Sequence, residues 1–95
     1  MRASERNGFI LFSLVEAFEK LGVEVRFEDL SFEDVKGKGG RCRVRGKDMV
    51  IIDKGLEAGE KISILVEQLN RLDCDGIYLP PNVREMMERR GGEDG

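Results

Sequence analysis

Histidine is absent from this chain, and Tyr78 and five phenylalanines are its only aromatic residues. Without an imidazole, a cysteine nucleophile lacks its usual base and orienting partner. Without histidine or Cys-x-x-Cys spacing, the four well-placed ligands of a zinc site cannot be drawn from the familiar patterns. Aromatics that could stack on bases are scarce, and the phenylalanines stand mostly at core-type positions, which argues against specific single-strand recognition. Cysteine is also sparse. Cys42 and Cys74 are too few for a disulfide scaffold and suit a reducing compartment, so an unbridged, cytoplasmic protein is expected. Long apolar runs are missing as well. Even Phe9 to Phe12, as long as any, falls far short of a bilayer span. Arg2 precedes that run, but polar residues interrupt it and no small-residue cleavage pattern follows, so no secretory signal and no membrane association are expected.

What the chain does have suits one small domain. With 95 residues there is no room for a second core, and residues 1–90 are expected to form a single unit followed by a disordered tail at 91–95. A hydrophobic content of 40% is enough to fold alone, although burial at this size is modest. The net charge of −3 gives no global attraction to nucleic acid. Its distribution is uneven, because Lys36, Lys38, Arg41, Arg43, Arg45 and Lys47 place six cations in twelve residues with no acid among them.

Hydrophobic periodicity divides the chain into six elements. Leu11, Leu14, Val15, Phe18 and Leu21 recur at helical spacing and predict a helix over 9–21, with Ser4 or Asn7 as its cap and Gly22 as its stop. Val23, Val25 and Phe27 then alternate with charged residues, the pattern of a half-buried strand over 23–28. Residues 29–40 read as a loop with a helical turn near 32–35, ending in the turn-like run Gly37-Lys38-Gly39-Gly40. Arg41–Arg45 and Met49–Asp53 read as a hairpin about a Gly46-Lys47-Asp48 turn, with Cys42 and Val44 facing inward. Met49–Ile52 is continuously apolar, as in a strand buried more deeply than its neighbours. Ile62, Leu65, Val66, Leu69 and Leu72 stripe a helix over 60–72, and Pro81 suits the start of a last helix over 82–90. The expected fold is α+β: a small three-stranded, mainly antiparallel sheet packed by helices in the order α-β-β-β-α-α.

From about Leu11 to Leu72 this order resembles the ImmA/IrrE-type zinc metallopeptidases. The features that carry the resemblance are an opening helix, a glycine-containing approach to a hairpin, the strand Val50-Ile51-Ile52-Asp53, and a loop entering the helix Glu60-Lys61-Ile62-Ser63-Ile64-Leu65-Val66. In that family the helix carries a His-Glu-x-x-His motif. Here Glu67 stands for the first histidine, Gln68 for the catalytic glutamate and Arg71 for the second histidine, so the resemblance implies a zincin-like fold without metal or catalysis. The residues agree on their own terms. Positions 67 and 71 share one helix face, where histidines could grip a metal. Glu67 and Arg71 instead suit an ion pair contributing about 0.2–0.5 kcal/mol if exposed.

Other candidates have plainer explanations. Asp73 and Asp75 flank Cys74, but a turn after a helix accounts for both carboxylates. Met86 and Met87 suit an adaptable groove, yet as part of a helix stripe they read as core or dimer contact. The glycine-rich run lacks a phosphate-loop pattern, and no cofactor is expected. No acid–base pair with defined spacing appears, so the chain reads as non-catalytic.

The basic segment 36–47 is the remaining candidate. Arg41, Arg43 and Arg45 are expected on one strand face, where they could meet an acidic partner or phosphates. If strand 23–28 paired with strand 41–45, Glu24 and Glu28 would oppose these arginines for about 0.2–1 kcal/mol each. A solvated, internally paired face ranks first, an acidic partner second and nucleic acid third. The expectation is an interaction or structural domain with a protein partner. A weak, salt-dependent nucleic-acid binder is the alternative. Exposed sheet edges also permit a homodimer, but no residue pattern specifies one.

Overall fold

A helix closed by a glycine opens the computed structural model, which describes residues 3–30 and 39–93. Helix α1 spans Ala3–Lys20, so Ser4 and Asn7 lie within it and not at its cap. Leu14, Ala17 and Phe18 form its buried stripe. At its end the Val23 N–H donates to the Phe18 carbonyl at 2.9 Å and the Gly22 N–H to the Glu19 carbonyl at 3.0 Å. With Gly22 at φ 77°, these two bonds make a Schellman close, which joins Val23 and Phe18 in the core. Glycine is needed there because a Cβ disfavours the left-handed conformation.

Three strands follow, β1 (Glu24–Glu28), β2 (Gly39–Val44) and β3 (Lys47–Asp53), in the spatial order β1-β3-β2. β3 runs antiparallel to β2 and parallel to β1. The sheet is therefore mixed, where a mainly antiparallel one was expected. Turn geometry sets the local β2–β3 pairing, but burial selects the partner of β1. The strand with the continuous apolar run takes the centre, with Val50 and Ile52 fully buried. The alternating β1, which has a wet face, takes an edge. Glu24 and Glu28 thus lie opposite Met49 and Asp53, and not opposite the arginines.

The loop after β3 is tied down where it leaves the strand. The Lys54 N–H donates to the Glu28 carbonyl at 2.9 Å, and the Gly55 N–H donates to the Asp53 carboxylate at 3.0 Å. Helix α2, Ala58–Asn70, buries Ile62, Leu65, Val66 and Leu69 against α1 and the sheet. Helix α3, Pro81–Glu93, starts on Pro81, with the Val83 and Arg84 N–H groups both donating to the Pro80 carbonyl at 3.0 Å. It adds buried Val83 to the core, with Met86 and Met87 half-buried beside it. It also runs on to Glu93, beyond the end expected at residue 90. The amide nitrogen of Asn70 reaches the Met87 carbonyl at 3.2 Å and holds α3 on α2. Ile77 and Leu79 pack on the core from the loop between these helices, while Tyr78 is exposed under Lys20 Nζ, which stands 5.8 Å from its ring.

The α+β class and the order α-β-β-β-α-α hold. Among the described residues no helix is long and apolar enough to cross a membrane. The helical turn expected near 32–35, with Lys36 and Lys38, lies outside the described residues.

Candidate functional site

The β2–β3 hairpin turns on Arg45 and Gly46, both at positive φ, 54° and 79°. Two such residues form a type I′ turn, whose twist matches that of paired strands and which favours asparagine followed by glycine. The turn thus starts one residue earlier than the Gly46-Lys47-Asp48 reading, and Arg45 belongs to no strand. An arginine there carries a Cβ in the left-handed region, at a cost of about 1 kcal/mol.

The side-chain directions of β2 are also reversed from expectation. Residues directly opposite in a ladder share a face. Arg41 lies opposite Val50, whose side chain joins the helix-covered core, whereas Cys42 lies opposite Met49 and Val44 opposite Lys47. Arg41 and Arg43 therefore stand on the helix-side face, and Cys42 and Val44 on the other. Val44 remains 45% exposed. β2 is an edge strand, so its helix-side face is wet as well, and in-and-out alternation loses its meaning.

The cations divide unequally. Arg41 Nη2 lies 3.4 Å and Arg43 Nε 3.8 Å from the two carboxylate oxygens of Asp48. Arg43 Nε also donates to the Gly46 carbonyl at 3.4 Å, across the turn. Lys47 is drawn toward β1, where its Nζ meets Glu24 at 3.0 Å. Glu24 already serves Arg26 at 3.4 Å, and Arg26 also meets Glu28 at 3.1 Å. Arg45 is exposed and has no ion pair among the described residues. Exposed pairs of this kind contribute roughly 0–1 kcal/mol each. One carboxylate between two guanidinium groups cannot cancel both, so the tip and outer edge of the hairpin keep a positive surplus.

A feature not read from the sequence adjoins this edge. A cavity of about 410 Å³ opens beside Glu28, Gly39, Gly40, Arg41, Cys42 and Ile51. The signal for it was the glycine pair. A Cβ at Gly39 would fall 2.5 Å from the Ile51 carbonyl oxygen, so a side chain is barred there, whereas a Cβ at Gly40 would meet nothing within 4 Å.

The α2 positions are organised differently. Arg71 Nη2 donates to Glu67 Oε1 at 3.1 Å, with both side chains more than half exposed, and Gln68 beside them is half-buried. Among the described residues no three His, Cys, Asp or Glu side chains converge on a common metal position. Cys74 has a defined setting. The Asp75 N–H donates to the Asp73 carboxylate at 3.0 Å in a tight turn, and the Cys74 thiol lies 3.8 Å from the Leu69 carbonyl and 3.7 Å from that of Leu72. Burial first, then the charges of Asp73 and Asp75, push its pKa up, which favours an unreactive thiol. Cys42 is also free and half-buried.

No family model matches this chain, and no curated protein or solved structure matches it significantly.

Proposed function

We propose that this chain is a non-catalytic interaction domain that holds an acidic segment of a partner protein at its β2–β3 hairpin. The observation that carries the reading is Arg45. A two-residue turn of this type is best served by asparagine, yet the chain places there an exposed arginine in a strained backbone conformation, with no ion pair among the described residues. The turn gives up stability to keep a cation at the hairpin tip. Arg41 and Arg43 share a single carboxylate next to it, which extends the positive field along β2. The 49–72 unit then acts as scaffold, a zincin-like strand and helix whose motif positions hold Glu67, Gln68 and Arg71 in place of metal ligands. The Glu67–Arg71 pair supports this part of the reading.

Fluorescence anisotropy with a labelled oligoglutamate peptide, at low and high salt, tests the proposal. Binding that weakens with salt and disappears in the Arg41/Arg43/Arg45→Glu variant, with its circular dichroism unchanged, is the expected result. Absence of peptide binding at low salt overturns it. Single-stranded RNA or DNA in parallel titrations distinguishes the alternative, because binding of the nucleic acid without the peptide would assign the hairpin to phosphates.

A further inference from the structure

Resting on that reading, we infer that the acidic segment binds as an added strand, pairing its backbone with the outer edge of β2. The order β1-β3-β2 leaves one side of β2 without a ladder partner among the described residues. Such an edge presents a row of N–H and C=O groups ready to pair with an extended chain. β2 matches β3 residue for residue from Gly39 to Val44 with no bulge, so its edge is continuous over roughly 20 Å at the usual rise per residue.

Charge selects both the edge and the occupant. The opposite edge, β1, carries Glu24 and Glu28 around Arg26, with Lys47 on Glu24, and so has no surplus of cations to offer an acidic segment. β2 carries Arg41 and Arg43 and leads into Arg45. A second copy of this chain is the poorer guest. Pairing β2 with β2 would bring the arginines of both copies together on one short ladder, and like charges across a ladder destabilise it. An acidic strand of another protein would place its carboxylates beside the same arginines and complete the neutralisation that Asp48 begins.

The experiment compares two kinds of labelled peptide that alternate glutamate with threonine, the first with an unmodified backbone and the second N-methylated at every second residue and made in both registers. Methylation on the pairing edge removes donors and blocks the ladder while leaving the charge unchanged. The expected result is salt-sensitive binding of the first peptide and roughly tenfold weaker binding of the second. Amide exchange should also slow within Gly39–Val44 when the first peptide is bound. If neither register of methylation weakens binding, strand addition is overturned while the acidic-partner reading stands. If the unmodified peptide itself fails to bind at low salt, that reading falls and strand addition falls with it.

Discussion

Arg71 donates to Glu67 across 3.1 Å, one turn apart on an exposed face of α2. This pair occupies the spacing at which two histidines can hold a metal, and the glutamate stands on the side favoured by the helix dipole. Replacing Glu67 by alanine should lower stability by only about 0.2–0.5 kcal/mol, and less at high salt, as read by urea unfolding. A loss of several kcal/mol would mean that the pair is part of a buried network, contrary to its exposure.

Arg45 makes the opposite kind of prediction. Arg45→Asn should raise stability by about 1 kcal/mol, because asparagine tolerates the left-handed region and an Asn-Gly pair is the preferred type I′ turn. For a domain of this size that corresponds to a midpoint roughly 4–8 °C higher in a thermal melt. The same change should weaken binding of the oligoglutamate peptide. A variant that is both more stable and equally good at binding would separate the strain at this position from function.

The two glycines that open β2 form an internal control. Gly39→Ala forces a Cβ to within 2.5 Å of the Ile51 carbonyl oxygen at a φ of 153° and should destabilise by about 1–3 kcal/mol. Gly40→Ala adds a methyl to open space and should change stability by less than about 0.5 kcal/mol. Equal effects in denaturant titrations would contradict the register that places Gly39 opposite Ile52.

Elements ruled by local physics were legible in the sequence. Gly22 marks the end of α1 because only a residue free of Cβ strain makes that close comfortably, and the apolar stripe of α2 matches its buried face from Ile62 to Leu69, although the helix spans Ala58–Asn70 and Leu72 falls beyond its end. The run Met49–Ile52 announced the most buried strand. What stayed hidden was non-local. No residue of β1 records that its neighbour is β3 and not β2, since that choice minimises exposed apolar area over the whole sheet. The same gap concealed the directions of Cys42 and Val44, because alternation signals inside and outside only where one face is covered. The turn was misplaced by one residue because Arg45 looks like a strand residue, and its left-handed backbone contradicts its local preference. The cations of the candidate site were legible by composition. Their division among Asp48, Glu24 and solvent depended on the strand order.

Cys74 provides a pH-dependent prediction. Burial, reinforced by Asp73 and Asp75, raises its pKa in the folded protein above that of the unfolded chain. Folding therefore favours the neutral thiol. Its contribution to stability is fully present below the unfolded pKa and is lost as pH rises through the folded value. In a Cys42→Ala background, alkylation of Cys74 by iodoacetamide should be slower in native protein than in urea at mildly alkaline pH. Unfolding midpoints should fall as pH rises toward and through the folded pKa. Cys74→Ala should reduce that alkaline slope, while the loss of the thiol's packing against the core is a separate cost that persists at neutral pH. Native alkylation as fast as in urea would show that the thiol is not shielded by the turn between α2 and α3, and would remove the basis for an unreactive Cys74.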